Sequence, residues 1–401
     1  MSRKAISVAA LTALCLTGLA ACGSDADDSA APKKKGAGQV AVKLVSGSDG
    51  DVCELDTDTA AAGPVTFTVV NESAAGVTEV ELMDGQKILG EKENLAPGLP
   101  EVSFTLTLGG GDYEVYCPGA AEERIPFEVT GEAAAAPTGD AAELLAAGAE
   151  DYTTYVRTQI DAMVVGVQKL QEAVDSGDVA AAQQAYADSR PFYEKIESDV
   201  EGFVMEGFDP TDNKGNLDYL IDMRASNLDE AVGWSGFHAV ERDLFEAKKI
   251  TDQTKKYAAD LVTNVTKLAE VGKTLEFKPE DLANGAAALL EEVQSGKITG
   301  EEEAYSHIDL VDFANNVEGA QQAYAALRPG LEKVDAELVK TIDERFTAVT
   351  DDLEGYKDPE ALGGYQPYTA ELKASDGKLL SATVQSLQDV LGRLAEKAAT
   401  A

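Results

Sequence analysis

The chain has 401 residues, enough for two or three domains, and its 72 acidic and 33 basic residues give a net charge of −39. This acidic balance excludes most nucleic-acid-binding functions, because the phosphate backbone would be repelled. Most of the carboxylates are expected to form a solvated surface, so only a few of them can serve as metal ligands.

Residues 1–21 predict a secretory signal of the bacterial lipoprotein type. Arg3 and Lys4 precede a short apolar run, Ala5–Leu19, which is too short for a good transmembrane helix. Cys22 follows a Leu-Ala-Ala sequence, the pattern in which that cysteine becomes the lipidated first residue. We therefore expect an extracytoplasmic protein that is lipid-anchored to the cell membrane, in the periplasm or cell envelope, through a disordered tether over residues 22–38.

Residues 39–131 predict a small antiparallel β-sandwich. Short runs rich in β-branched residues alternate in polarity, and Gly, Pro, Asn and Asp separate them. Residues 132–139, rich in alanine, predict a linker to the next domain. The predicted strands are Val40–Val45, Val65–Val70, Val77–Met83, Val102–Leu108, Tyr113–Cys117 and Ile125–Val129.

Residues 140–401 predict a helical domain, because the strand signals end and apolar residues recur at helical spacing. Thr251, Ser306 and Asp140 are candidate helix caps, and Gly177, Gly272 and Gly296 are candidate stops. The predicted helices are 140–175, 178–203, 236–248, 251–272, 279–295, 301–327, 331–356 and 367–398.

The helical part contains an internal repeat. Residues Gln183–Glu197 and Gln321–Asp335 are 138 positions apart, and nine of their fifteen residues are identical. Both copies contain Arg-Pro, at Arg190-Pro191 and Arg328-Pro329, so both should mark the same break or kink between helices. The repeat predicts two related bundles of about four helices each.

Candidate metal ligands occur as pairs spaced three residues apart, which places both members on one helical face. The first pair is His238 with Glu241, within Gly236–Phe245. The other pairs are Glu194 with Glu197 and Asp309 with Asp312. Three such helices can converge in a bundle on a hard or borderline ion such as iron. The alternative for each pair is a solvated face, or an ion pair with Arg190 or Arg242; His307 is a candidate for orienting a ligand.

Cys53 and Cys117 are the cysteines that remain after the signal segment, and two interpretations of them stay open. In an oxidising compartment they can form a disulfide. With Glu79 and Glu81 they can instead form a thiolate and carboxylate metal site. A blue-copper centre is excluded, because it needs two histidines and residues 23–237 contain none.

Catalytic motifs are few. The chain lacks H-E-x-x-H, and the inverse zinc-protease motif H-x-x-E-H is incomplete because Arg242 follows Glu241. There is no credible Ser-His-Asp set. The residues alone therefore favour metal binding over hydrolysis.

The helical part resembles the imelysin-like family, whose hallmark G-x-H-x-x-E is present as Gly236–Glu241. The stretch Lys297–Gln321 resembles the EfeO-type iron-uptake lipoproteins within that family, and the strand-rich part resembles their cupredoxin-like domain. The resemblance implies an N-terminal all-β cupredoxin-like sandwich and a C-terminal all-α imelysin-like pair of four-helix bundles.

The resemblance also implies a function. Such a protein would capture iron outside the cytoplasm and deliver it to an EfeU-like membrane permease, together with an EfeB-like haem peroxidase. Carried over by position, His238 and Glu241 are ligands of the helical domain, aided by carboxylates from Glu194, Glu197, Asp309 and Asp312. In the cupredoxin-like domain, Cys53, Glu79 and Cys117 would bind copper or ferric iron. The alternatives are an imelysin-type metallopeptidase and a structural surface lipoprotein.

Overall fold

The computed structural model describes residues 37–401, with gaps at 86, 133–136, 206 and 209–211. Strands occupy the first part of this range and helices the rest, so the chain has a strand-rich N-terminal region and a helical C-terminal region. The predicted signal, its lipidated Cys22 and nearly all of the tether lie outside the described residues. Within the described part, no helix combines the length and apolar character needed to cross a membrane.

Two sheets form the N-terminal region. The strands are β1 Gly38–Ser46, β2 Asp51–Leu55, β3 Thr59–Ala61, β4 Gly63–Asn71, β5 Val80–Asp84, β6 Lys87–Lys92, β7 Val102–Leu108, β8 Gly111–Tyr116 and β9 Arg124–Thr130. One sheet has the order β2-β1-β4-β7 and the other β3-β9-β8-β5-β6. Their inner faces share one apolar core, in which the ring centroids of Phe67 and Phe127 lie 5.3 Å apart. The region is therefore a sandwich.

The expectation of an antiparallel sandwich is wrong at two pairings. β1 pairs with β4 in parallel, and β3 pairs with β9 in parallel. The reason is topological: the chain passes through β3 in the second sheet before β4 returns to the first sheet beside β1. A strand that returns by such a crossover runs parallel to its neighbour. The sheets are therefore mixed.

The helical region begins at Asp140. Its α-helices are α1 Asp140–Ser176, α2 Val179–Glu194, α3 Glu197–Val200, α4 Leu217–Asp222, α5 Gly236–Glu241, α6 Asp252–Gly272, α7 Pro279–Glu292, α8 Asp309–Val334, α9 Ala336–Glu354, α10 Ala370–Leu391 and α11 Leu394–Ala399. The long helix α1 packs against α2, α6 and α8, and α8 also packs against α7 and α9. One apolar core runs through these helices.

Two π-helical turns interrupt regular helices near the point where the candidate ligands lie. Arg242–Glu246 continues α5, and Val293–Lys297 continues α7. Such turns add a residue to a helix and are frequent at functional sites, because they re-aim the side chains that follow. The predicted helices 236–248 and 279–295 thus have the expected positions, but their last turns are wider than expected.

The predicted helix at 301–327 begins too early, since α8 starts at Asp309. His307 has a positive φ of 61°, a left-handed conformation that no α-helix contains. The turns before it direct backbone N–H groups at Glu241 instead of into a helix. No predicted helix covers α4, a six-residue helix between the predicted helices 178–203 and 236–248.

The two regions are joined by polar contacts between β-strands and α7. Lys92 of β6 forms an ion pair of 2.7 Å with Glu291, and the lysine side chain is 3% exposed. The side chain of Asn284 hydrogen-bonds both the N–H and the C=O of Thr105, in β7. A partly buried ion pair and a two-way hydrogen bond fix the orientation of the sandwich on the helices.

Candidate metal centre

A buried cluster of carboxylates lies in the helical region where α2, α4, α5 and the start of α8 meet. Lysine and arginine side chains are interspersed among them, but the acids are in excess. Each acid is at most 5% exposed, so none belongs to the solvated surface. The carboxylates are Glu194, Glu197, Asp222, Glu241, Glu302, Glu303, Asp309 and Asp312. We refer to these eight residues as the acidic cluster.

Gly236 explains how α4 and α5 come together at the cluster. It has a φ of +70°, and a Cβ at this position would lie 2.0 Å from the carbonyl oxygen of Ile221. Only glycine tolerates both the left-handed conformation and this close approach. Because Ile221 immediately precedes Asp222, the contact brings Asp222 next to His238, two residues after the glycine.

His238 and Glu241 form the centre of the cluster. The Nδ1 atom of His238 lies 3.0 Å from Oε2 of Glu241, and the other oxygen, Oε1, accepts hydrogen bonds from the backbone N–H groups of Tyr305 and Ser306. Both residues are buried. Glu241 is thereby held in one orientation, and it holds the imidazole in turn.

Within the described part of the chain, the remaining ring nitrogen of His238 has no hydrogen-bond partner. Its Nε2 atom is buried and lies 3.5 Å from one oxygen each of Asp222 and Glu302. Burial opposes the charged imidazole, but the charge of Asp222, the hydrogen bond to Glu241 and the nearby carboxylate of Glu302 outweigh it and raise the pKa of His238 well above its usual range. Without a metal, the imidazole therefore binds a proton that a metal would displace.

Arg190 is the main cationic group of the cluster. Its guanidinium is fully buried and contacts Glu194, Asp222 and Asp312, as well as Glu302 and Glu303. It also lies over the ring of Phe237, 5.1 Å from the ring centroid. A planar group with several donors can neutralise several acids at once, which a lysine could not do in this geometry.

Two further cations bind the same cluster from the side of α7. Lys297 lies 3.1 Å from Glu197 and 3.3 Å from Glu194, and Arg224 lies 3.0 Å from Glu302. Burial opposes ionisation of Glu302, but Lys297, Arg224 and His238 together lower its pKa well below the usual range. Glu302 is therefore a carboxylate at any physiological pH.

Other members of the cluster hold protons at neutral pH. Burial raises the pKa of Glu303 to about 8, and the charge of Glu241 adds to that rise while Arg190 opposes it. Burial likewise raises the pKa of Glu194 to about 8 and that of Asp309 to about 7. These groups are poised to release protons when a cation enters.

The arrangement provides sets of metal ligands at suitable spacing. One ligand atom from each of three residues lies within 4.8 Å of the others in the sets Asp222, His238 and Glu302; His238, Glu241 and Glu303; and Glu194, Glu302 and Asp312. Buried oxygens without hydrogen-bond partners occur on Glu194, Asp309 and Asp312. Carboxylate oxygens with one imidazole suit a hard or borderline cation.

Comparison with known proteins identifies the family. The imelysin family model matches residues 148–394, more than half of the chain. The chain belongs to the imelysin family. Relatives named iron uptake system component EfeO are similar along most of their length: those of Escherichia coli O1:K1 and of strain K12 are 34% and 33% identical over 347 residues, which is 85% of this chain and 89% of the relatives. The EfeO of Shigella flexneri is 33% identical over the same extent. The chain is an EfeO-type member of the family.

The structure brings the predicted ligands of the helical region of this imelysin chain into one cluster. Some of them have the spacing of metal ligands, and others bind neighbouring protein groups. His238, Glu241, Glu194 and Asp312 each belong to a set with metal-ligand spacing. Glu197 instead binds Lys297 and Asn316, and Asp309 accepts a hydrogen bond from the N–H of Glu303. The side chain of His307 is exposed, and Arg242 stacks on Trp234, so neither joins the cluster.

Sequence reasoning missed three residues of the same sets, namely Asp222, Glu302 and Glu303. A signal existed for two of them, because Glu301-Glu302-Glu303 lies inside the stretch whose resemblance to the family is strongest. No pattern identified Asp222, since its six-residue helix is too short to show periodicity.

In the sandwich, the set Cys53, Glu79 and Cys117 stays a prediction. The two cysteine sulfurs are bonded to each other in this structure, which is the disulfide alternative that the sequence left open. A disulfide offers no thiolate to a metal. Glu79 lies instead with two other glutamates, Glu81 and Glu91.

Proposed function

We propose that this chain is an extracytoplasmic iron-binding component of an iron-uptake system. The observation that carries the proposal is the unpartnered Nε2 atom of His238, buried at 3.5 Å from Asp222 and Glu302. A buried nitrogen lone pair facing two carboxylates is a costly arrangement unless a proton or a cation occupies it. The relatives named iron uptake system component EfeO support iron as that cation.

In this proposal, Nε2 of His238, Asp222 and Glu302 hold the incoming iron ion, which is cargo, and Glu241 holds the imidazole in place through Nδ1. Glu194 of α2, Asp309 and Asp312 of α8, and Glu303 in the turns before α8 complete its surroundings, and Arg190 and Lys297 move toward the acids that iron does not use. Glu197 remains on Lys297. Iron entry displaces the proton of His238 and those of the carboxyl groups with raised pKa values.

The proposal extends to the setting of the protein. The chain would be a lipoprotein anchored through Cys22, which captures iron and delivers it to an EfeU-like membrane permease alongside an EfeB-like haem peroxidase. The domains would be residues 39–131 and 140–401, joined by 132–139. The crossed strand order with β1 parallel to β4 supports a cupredoxin-like sandwich, and the repeat copies in α2 and α8 support a pair of four-helix bundles.

A metallopeptidase is a poorer fit to these residues. A general base needs a carboxylate that can accept a proton from water. Glu241 is fully engaged by two backbone N–H groups and by His238, and His238 lowers its pKa although burial opposes the charged form. Casein cleavage that is lost in Glu241→Gln would contradict this assignment.

Iron titration of the purified protein tests the site directly. The double variant His238→Ala/Glu241→Ala should bind iron with an affinity at least tenfold lower than that of the wild type. The matched control is His307→Ala/Glu301→Ala, which removes the other histidine and an exposed glutamate next to the cluster. Equal affinity in the wild type and in the first variant would refute the assigned site.

A further inference from the structure

A surface cavity of about 530 Å³ lies between α6 and the loop that precedes α5. Residues Val232 to Ser235 line it from the loop, and α6 lines it with side chains from Gln253 to Lys267. Cavities of about 300–1,000 Å³ accommodate small molecules in proteins. The cavity shares no residue with the acidic cluster, so it is a separate place where a ligand can bind.

Two aromatic side chains line this cavity, Trp234 from the loop and Tyr257 from α6. The guanidinium of Arg242 lies over both rings, 4.2 Å from the centroid of Trp234 and 6.0 Å from that of Tyr257, and it pairs with Asp243 at 3.3 Å. Trp234 also packs against Tyr305, with ring centroids 6.4 Å apart. These contacts hold the rings in place, so the cavity offers a preformed surface on which a planar group can stack.

The charged side chains that line the cavity leave one cation without a carboxylate partner. Lys256 pairs with Asp260 at 2.5 Å. Within the described part of the chain, the ammonium group of Lys267 instead contacts the sulfur of Met205, at 3.0 Å, and has no ion pair. A thioether is only a weak acceptor. In a chain with 72 acidic residues, Lys267 is thus a cation still able to bind an anionic group of a ligand.

One carbonyl group ties the walls of the cavity together and places Lys267 near Trp234. The C=O of Leu220, in α4, accepts hydrogen bonds from Oγ of Ser235 at 2.8 Å and from Nδ2 of Asn264 at 3.2 Å. Ser235 adjoins Trp234, so Asn264 lies at the level of the indole. Lys267 follows Asn264 by three residues on α6 and therefore lies on the same helical face. A ring and a cation are thus available to one small ligand.

We propose that this cavity binds a small aromatic carboxylate, with its ring against Trp234 and its carboxylate group at Lys267. Aromatic rings stack on one another in offset or edge-to-face arrangements, and an ammonium group donates charge-assisted hydrogen bonds to a carboxylate. An inorganic anion would leave the aromatic walls unused. Gln253 and Thr263 add neutral polar groups along the exposed side of α6. The proposal does not depend on iron binding, because none of these residues belongs to the acidic cluster.

The fluorescence of Trp234 can test this site, because Trp234 is the only tryptophan of the chain. Titration of the full mature chain, freed of metal, with sodium benzoate should change the emission of Trp234 in a saturable way, with sodium chloride as the salt control. Lys267→Gln should weaken benzoate binding by about three- to fivefold, the factor for one exposed ion pair. Benzamide, which has the same ring without the charge, should bind the wild type more weakly than benzoate by about the same factor.

The matched control is Lys340→Gln, because Lys340 is also an exposed lysine of a helix, α9, but does not line the cavity. This variant should bind benzoate like the wild type. Emission that benzoate changes no more than sodium chloride does would overturn the proposal, whatever the iron titration gives. Equal benzoate affinity in Lys267→Gln and the wild type would also overturn it, and so would equal affinities of the wild type for benzamide and benzoate.

Discussion

Arg190 and Arg328 occupy the same position in the two repeat copies, yet one is fully buried and the other is 41% exposed. Each is preceded four residues earlier by a tyrosine and followed four residues later by a glutamate, and each pairs with that glutamate. Among the described residues, Arg328 adds Asp343 alone, whereas Arg190 adds four acids of the cluster. The two repeat copies therefore place equivalent residues in different environments. A residue of the second copy can serve as the control for its counterpart in the first.

The first prediction concerns these arginines. Arg190→Met leaves buried carboxylates without their cation and should destabilise the apoprotein by about 3–5 kcal/mol. Arg328→Met should have a much smaller effect, because water screens that pair. Urea denaturation of both variants at pH 7 measures the difference. Similar losses in the two variants would show that the buried cluster does not depend on Arg190.

The second prediction concerns the tyrosines of the repeat. Tyr186 donates a hydrogen bond of 2.8 Å to Glu303, and Tyr324 donates one of 2.8 Å to Asp343, away from the cluster. Tyr186→Phe should cost about 1–3 kcal/mol, the range for leaving a buried polar group without its partner. It should also weaken iron binding, because Glu303 loses a positioning contact.

Tyr324→Phe is the control for this pair. It removes the same hydroxyl from the equivalent helix position, so stability should fall but iron affinity should stay at the wild-type value. Denaturation and iron titration on the same samples separate the two effects. A fall in iron affinity with Tyr324→Phe would indicate a general loss of structure.

The third prediction concerns pH. Glu303 and Glu194 have folded-state pKa values of about 8, raised chiefly by burial, above those of the unfolded chain. The folded state therefore binds more protons, so this contribution to stability is fully present below about pH 4 and is lost as pH rises to about 8. Glu303→Gln should flatten the fall of apoprotein stability between pH 5 and 8. Thermal melts across that range check it, and a slope unchanged from wild type would contradict the assignment.

The fourth prediction concerns the contact between the two regions. Lys92→Met leaves Glu291 without its partner and should destabilise the protein by about 1–3 kcal/mol. The exposed pair of Lys43 and Glu72 is the control, since both side chains are about half exposed. Lys43→Met should change the melting temperature far less than Lys92→Met does. Equal shifts would mean that Lys92 adds nothing beyond a surface charge.

The sequence predicted the strand-rich and helical regions because each depends on local patterns of polarity and on glycine and proline positions. It also placed His238 and Glu241 on one helical turn, since spacing alone determines which helical residues share a face. The ligands that it missed depend on other information. Asp222 reaches His238 only through the close packing of Gly236 on Ile221, a contact between separate segments.

The start of α8 illustrates the same limit. Residues 301–308 have a composition typical of helices. The backbone N–H groups of Tyr305 and Ser306 nevertheless bind the carboxylate of Glu241, more than sixty positions earlier. The local sequence does not show that these N–H groups bind a distant carboxylate instead of forming a helix. Likewise, periodicity cannot separate a buried acid that binds Arg190 from one that faces water, because burial depends on the partner helix.

The π-helical turn at Val293–Lys297 has a consequence for how the protein tolerates changes in length. A π-helical turn holds one residue more than an α-helical turn, so deleting Gln294 would let this turn return to regular geometry and leave the side chain of Lys297 close to its present direction. The ammonium group would then stay near Glu194 and Glu197. The widened turn thus marks a point where the chain should tolerate the loss of one residue while the acidic cluster keeps its lysine.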